Sequence, residues 1–497
     1  MGIVIRQSAK SVILTYIGIG FGIINTLWLF PYILTEEQIG LVRTIINVAV
    51  IFSTFACLGT SHIPFRFFPY FRDIKKGHNG FLFFLLLIGA AGLLIFLFLF
   101  VVFKPVFYNV FSKNAPLLIH YFNFLIPFTF ILVFTYIFES YNVIQQNPIV
   151  PIFTRETLTR ISITISLLLF FIFKFSYSSF VTLLISFYGF ILIVLIYYTY
   201  SQHYLFIKPN TSVFKSPLLK SIFVFGTFIL MGNASGIVII NIDSLMLSAY
   251  SGLRNTGIYT IAFFIATFIE IPKKSLSQVL IPLVSEANKN NDIGKLEELY
   301  KKSSLTQLII GGFIFIIIWC NIANIFRLIP HGNIYSEGKW VVFFIGIGKL
   351  FDMATGINQE IVGTSRYYKY DLIYYPFIGI IAIGANMWLI PRYGMTGAAI
   401  AAAFSVFLFN TIRFLFILLV FKIQPFSFNI VKVLVIGSIV FLLSYFIPPF
   451  TNLIIDILVR CLTITITFIG LILLSKSSED INSIFNKILR NYFNYTF

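Results

Sequence analysis

Charge is what this sequence has least of. Among 497 residues, 11% are Asp, Glu, Lys or Arg, against roughly 25% in soluble domains, so a soluble globule is excluded. Cysteine is scarce: Cys57, Cys320 and Cys461 are odd in number, lie in apolar stretches and show no CxxC spacing. A disulfide framework and a thiolate metal site are therefore not expected. Five histidines (His62, His78, His120, His203 and His331) are scattered along the chain, which argues against a zinc or haem centre. No glycine-rich phosphate loop is present, so neither direct drive by ATP nor another cofactor is expected. No long polar stretch leaves room for a soluble domain.

What fills the chain is apolar: 58% of it is hydrophobic, with 61 Phe. The Phe content reads as lipid-facing filler and carries no functional weight. Apolar runs of about 20 residues, the length that crosses a bilayer core, recur from end to end. They predict an all-α polytopic membrane protein with about fourteen transmembrane helices. The first six lie near 11–34, 40–63, 81–103, 117–141, 156–174 and 178–200. The next six lie near 218–241, 257–281, 303–322, 340–362, 370–391 and 396–419, and two more near 429–447 and 452–474. The first run is longer than a signal-peptide core and lacks a small-residue cleavage site, so it reads as a retained span.

The net charge of +17 would suggest nucleic acid in a soluble protein. Here the basic residues cluster in alternate loops, and nucleic acid is not an expected partner. A cytoplasmic N-terminus puts Arg66, Arg72, Lys75 and Lys76, then Lys208, Lys215 and Lys220, then Lys289, Lys295, Lys301 and Lys302 on the inside. An even span count returns the C-terminus to the cytoplasm. Two amphipathic segments are expected at the membrane surface. One spans 292–300, with Glu297–Lys301 and Glu298–Lys302 at i,i+4 spacing; the other is the tail, with Ile481, Ile484, Phe485, Ile488 and Leu489 on one stripe.

A repeat organises the chain. LFPYILTEEQIGLVRTIINVA places Gly40 after a span end and a short turn, and NIDSLMLSAYSGLRNTGIYTIAF places Gly257 likewise, 217 positions on. Six spans intervene, so the copies share orientation, as in two-lobed transporters whose halves are related by an axis along the membrane normal. The expected division is a six-helix lobe over 1–205, a second over 206–424, two additional helices over 425–475 and a cytoplasmic amphipathic tail over 476–497.

Ionisable groups inside spans are costly and are site candidates by default. Lys349 and Asp352 lie near mid-bilayer on span ten at i,i+3 spacing, with Gln359 and Glu360 continuing that face. Glu270 on span eight is followed by Lys273 and Lys274. In the first lobe Arg43 and Asn47 share a face of span two, Glu139 joins Thr135 and Asn142 on span four, and Arg160 joins Thr157 and Thr164 on span five. Arg43, Asn47, Glu139, Arg160, Lys273, Lys274, Lys349, Gln359 and Glu360 are the candidate substrate-cavity residues. Lys349, Lys273, Lys274 and Arg160 suit an anionic head group. Asp243, Glu270 and Asp352 are candidates for a coupling H+ or Na+, although Asp243, at the outer end of span seven, reads equally as a turn residue. Arg413 reads as a snorkelling charge.

The stretches from Ile242 (IDSLMLSAYSGLRNTGIYTIAF), Leu34 (LTEEQIGLVRTIINVAVIF) and Arg392 (RYGMTGAAIAAAFS) carry a resemblance. The chain resembles the polysaccharide-biosynthesis, O-antigen-type flippases of the multidrug/oligosaccharidyl-lipid/polysaccharide exporter superfamily. Asp243, Gly257 and Tyr259 match that family's pattern; the cavity charges follow no fixed motif. The resemblance implies two six-helix lobes around a V-shaped cavity, plus two C-terminal helices. It implies movement of an undecaprenyl-pyrophosphate-linked oligosaccharide between leaflets of the bacterial inner membrane, for lipopolysaccharide or other cell-surface polysaccharide. Membrane lipids, a polysaccharide polymerase and chain-length proteins are the accompanying partners. A drug/cation antiporter or a peptidoglycan-precursor flippase of the same superfamily is the alternative. A membrane glycosyltransferase, polymerase or ligase would need a sizeable external loop or a paired-acid motif, so an enzyme is not expected.

Overall fold

An apolar run inside a bilayer must satisfy its own backbone, and a helix does so within one segment. In the computed structural model, which describes residues 2–145, 149–478 and 482–483, the apolar runs are helical and no strand occurs among the described residues. The chain forms two compact units, Met1–Thr260 with Leu372–Ile383 and Ile390–Gly394, and Ile261–Asp371 with Gly384–Leu389 and Met395–Phe497.

The first unit contains α1 (Ile13–Ile33), α2 (Glu36–Ala56), α3 (Gly77–Phe111), α4 (Phe122–Ile144), α5 (Ile149–Phe173) and α6 (Tyr177–Ser201). It continues through α7 (219–251) and the start of α8 (253–267), which are one helix interrupted at Gly252, φ 87° and ψ 170°. The interruption is a hairpin. Ser248 and Thr256 hydroxyls are 3.0 Å apart, whereas eight residues of straight helix would separate them by about 12 Å. The sequence expectation of a polar turn from 242 to 256 is corrected here. Ser244, Ser248 and Thr256 are buried helix residues, and the turn is Gly252 alone, where a positive φ favours glycine.

The start of α2 is fixed by a capping box: the Thr35 hydroxyl accepts from the Gln38 backbone N–H, and the Gln38 side chain accepts from that of Thr35. Two orphan donors are satisfied at once. One turn on, Gly40 and Gly257 meet. A Cβ on Gly40 would lie 2.0 Å from the Leu253 carbonyl oxygen, and one on Gly257 2.0 Å from that of Glu36. The glycines that mark the repeat are therefore the contact at which α2 and α8 cross. Hydroxyls of Thr44 and Ser248 pair at 2.7 Å, and Asn47 Nδ2 donates to Ser244 Oγ at 2.9 Å. Small residues bring the backbones close and polar ones bond across the gap.

The second unit carries two broken helices. α8 passes through a 3-10 turn, Phe268–Glu270, into α9 (Ile271–Lys289), with Pro272 in its first turn. α10 (Ile293–Cys320) follows. α11 (Lys339–Ala354) ends in a 53° bend before α12 (Asn358–Thr364). Gly356 takes φ +61° at that bend, where a Cβ would stand 2.9 Å from Ser303 Oγ. A 53-residue helix, Tyr368–Val420, breaks at Gly394 into α13 (368–393), most of which is counted in the first unit, and α14 (395–420). Then come α15 (Phe428–Ser444) and α16 (Leu453–Leu474). Beyond the breaks, α9 and α12 share an apolar core: Val284 and Ala287 pack with Ile357, Ile361 and Val362, against Leu296 and Tyr300 of α10.

By length and apolarity, the described residues hold ten span-length helices, or eleven with the bent pair counted as one span. The expectation from hydropathy is about fourteen. The difference lies at Gly252 and Gly394, where two spans run on as one helix, and at α15, whose 17 residues fall just short. The expected surface helix over 292–300 is corrected: it is the first part of α10, with Leu296 and Tyr300 buried. Its ion pairs Lys301–Glu297 and Lys302–Glu298 form at 2.6 and 2.9 Å. The apolar stripe of the tail lies outside the described residues.

α15 and α16 are held to the second unit by polar contacts. Asp456 accepts from Arg460 Nε at 2.9 Å, from the Phe450 N–H at 3.0 Å and from Asn324 Nδ2; Cys320 and Ser444 are 2.9 Å apart. Asp456→Ala is expected to destabilise this region by about 1–3 kcal/mol, because the Phe450 N–H, Asn324 and the partly covered Arg460 lose their common acceptor. Protease protection of α16 in detergent checks it; unchanged protection would show that the contact holds nothing.

Candidate functional site

The helix breaks of the second unit place its charges. The turn Phe268–Glu270 and the start of α9 bring Glu270, Lys273 and Lys274 beside the end of α11, where Lys349 and Asp352 stand. Lys273 Nζ lies 2.7 Å from Asp352 Oδ2 and also donates to the Asp352 carbonyl at 3.2 Å. Lys349 pairs with one Glu270 oxygen, and Lys274 holds the other at 3.0 Å. Three ammonium groups thus face two carboxylates. The pairs Lys273–Asp352 and Lys349–Glu270 join the turn Phe268–Glu270 and the start of α9 to α11. Lys274 is 71% exposed, whereas Lys273 and Lys349 are mostly covered.

A second layer fixes Asp352. Asn410 of α14 donates to Asp352 Oδ1 at 3.0 Å, while its own carbonyl oxygen accepts from Thr355 at 3.1 Å and Asn358 at 2.8 Å. Asn410 escaped the sequence reading, though an amide and an arginine at i,i+3 in an apolar span were the available signal. That arginine, Arg413, is 2% exposed and packs over the Phe409 ring, so the snorkelling expectation is corrected. It reaches Gln359 at 3.5 Å. Gln359 and Glu360 lie beyond the 53° bend, so they do not extend the Lys349–Asp352 face as the sequence suggested.

In the first unit the candidates fall into three places. Asp243 is buried nine residues before the hairpin, inside α7 rather than at its end. Its carboxylate accepts from the Tyr259 hydroxyl across the hairpin and from the Ser244 N–H at 2.8 Å. The Arg43 guanidinium stands close enough for its charge to act on Asp243, and Asn47 belongs to the α2–α7 seam. Arg160 lies apart, in the seam between α1 and α5. It pairs with Glu156 at 3.5 Å, and its carbonyl accepts from Asn25, which in turn accepts from Thr164.

Glu139 lines a cavity of about 620 Å³ with Tyr136, His62, Phe65, Asn233 and Arg155. Arg155 is the basic residue that the sequence reading missed in favour of Arg160. It sits in a π-helical stretch, Phe153–Leu158, whose wide turn shifts the register away from the 3.6-residue spacing assumed for a regular helix. Among the described residues no group of three or more His, Cys, Asp or Glu could hold a metal ion.

Apolar helices of membrane-spanning length, some of them broken at charged residues, are the build of a multi-pass membrane protein. The chain superposes over 98% of its length on 99% of a lipid II flippase in an inward closed conformation, with TM-score 0.72 and 15% identity. It superposes over 81% on 94% of an inward-facing multidrug resistance MATE family transporter of the MOP superfamily, with TM-score 0.63 and 16% identity. At such identities the likeness fixes the fold alone, one that this chain shares with both.

The chain belongs to the polysaccharide biosynthesis protein family, whose model matches residues 8–288. A capsular polysaccharide biosynthesis protein of Staphylococcus aureus is 25% identical over 216 residues, 42% of this chain and 51% of that protein. An uncharacterised membrane protein of Methanocaldococcus jannaschii is 24% identical over 246 residues, 47% of this chain and 45% of that one. The chain spans about half the length of these curated relatives.

Proposed function

We propose that this protein flips an undecaprenyl-pyrophosphate-linked oligosaccharide from the cytoplasmic to the outer leaflet of the bacterial inner membrane, for cell-surface polysaccharide synthesis. The observation that carries this reading is the cluster of Lys273, Lys274, Lys349, Glu270 and Asp352 at two adjoining helix breaks. Charges inside a membrane cost several kcal/mol unless paired or hydrated, and a merely structural pair needs neither a third, exposed lysine nor two interrupted helices. A pyrophosphate can exchange partners with the carboxylates and be held by the ammonium groups, while its lipid tail stays in the bilayer. The family, and the name of the staphylococcal relative, support polysaccharide as the cargo.

In this reading the repeat-defined lobes, 1–205 and 206–424, alternate access to the two sides, the helices of 425–475 stand beside them, and both termini lie in the cytoplasm. Asp243, Glu270 and Asp352 are the groups available to a coupling H+ or Na+.

The test is reconstitution into sealed vesicles with the labelled lipid-linked oligosaccharide in the inner leaflet, followed by its appearance to an impermeant enzyme outside. Movement of that lipid in preference to the peptidoglycan precursor and to organic cations is expected. Preferential movement of the precursor, or cation exchange alone, would replace the proposal with the corresponding alternative.

A further inference from the structure

The cavity of the first unit is chemically unlike the lysine cluster, and we infer that it is a saccharide subsite. It rests on the reading above in taking a glycan as cargo. Among the described residues the Glu139 carboxylate has no hydrogen-bond or ion-pair partner; Arg155, near enough for its charge to be felt, turns its Nε to Glu156 at 3.3 Å instead. A carboxylate left so inside a membrane protein wants donors that a ligand can bring.

Charge decides which ligand. Arg155 is already engaged by Glu156, which leaves the Glu139 carboxylate as the unneutralised charge on the wall, so a phosphate is not matched there. A neutral polyol is. The carboxylate accepts from two neighbouring hydroxyls, and the guanidinium and the Asn233 amide donate to ring and hydroxyl oxygens. Asn233 is already oriented, standing 3.1–3.2 Å from both ring nitrogens of His62, whose Nδ1 lies 3.0 Å from Ser61 Oγ. Phe65, 52% exposed, and Tyr136 supply aromatic faces on the same cavity. At about 620 Å³ the space falls within the ~300–1,000 Å³ of small-molecule sites, room for a short stretch of glycan.

Binding to the full-length protein in nanodiscs tests this with two probes: the lipid pyrophosphate bearing its glycan, and the same lipid pyrophosphate without sugar. Glu139→Gln is expected to weaken the glycan-bearing probe by roughly 10-fold or more, the loss of one charge-assisted hydrogen bond, and to leave the sugar-free probe's affinity where it was. Phe65→Ala, at an exposed ring whose removal opens no packed core, is expected to act in the same direction. Equal weakening of both probes, or of neither, overturns the subsite while leaving the flippase reading intact. If the wild-type protein binds neither lipid, the flippase reading fails instead. Free oligosaccharide then tests the cavity alone: binding that Glu139→Gln weakens supports it, and no binding overturns it. An organic cation that binds in a Glu139-dependent way, with no response to the glycan, also overturns it.

Discussion

Lys349→Ala is expected to lower flipping by roughly 10- to 100-fold, the loss of a contact worth about 1.5–3 kcal/mol to an anionic head group, while the protein still inserts. The structure makes this sharper than a simple charge deletion. Lys349 is held by Glu270, whose other oxygen Lys274 already occupies at 3.0 Å, so Glu270 is not left bare when Lys349 goes. The stability loss should therefore fall below the ~3–5 kcal/mol of a broken buried pair. Adding Glu270→Gln should recover what stability was lost without recovering transport, because the ammonium group is still missing. Vesicle flipping rates normalised to monodisperse protein separate the two effects. Full activity in Lys349→Ala would remove this residue from the site, and recovery of transport in the double variant would make the pair structural.

Gly257→Leu is expected to remove the folded protein altogether. The Cβ alone would sit 2.0 Å from the Glu36 carbonyl oxygen, a backbone atom that cannot swing aside. The α2–α8 crossing would have to open, and the Thr44–Ser248 and Asn47–Ser244 bonds beside it would go too. Overpacking commonly costs 1–3 kcal/mol where side chains can yield; here there is none to yield. Gly40→Leu, facing the Leu253 carbonyl, should fail in the same way, whereas Gly20→Leu should be tolerated, since a Cβ there meets nothing within 4 Å. Monodispersity on size exclusion in detergent checks all three. A well-folded Gly257→Leu protein would mean that the crossing is looser than its geometry.

The membrane class and the helical fold were legible in the sequence because a span announces itself by length and apolarity. The charged residues of the second unit were legible too: Lys349, Asp352, Glu270, Lys273 and Lys274 stand out where charge is otherwise absent. Their partners were not. Spacing along one helix puts Lys349 and Asp352 on one face, while the pairing is decided by where a 3-10 turn and a bend bring two helices together. The Gly40–Gly257 repeat was visible as an equivalence, but an equivalence does not say that the two positions touch. Arg155 was hidden for a related reason, since a π turn changes which residues share a face without any mark that hydropathy reads. The polar run from Ser244 to Thr256 looked like a loop because helix-crossing polar residues and loop residues are the same types.

The two helix breaks of the second unit have a mechanical side. α9 and α12, the segments beyond them, are packed on each other through Val284, Ala287, Ile357, Ile361 and Val362. Neither can shift alone without exposing that shared core, which Leu296 and Tyr300 of α10 complete. The charged residues stand at the breaks that lead into these segments, as rivets stand at a joint. Exchanging a carboxylate for another anion at Lys273 or Lys349 would therefore change the ties that cross this joint.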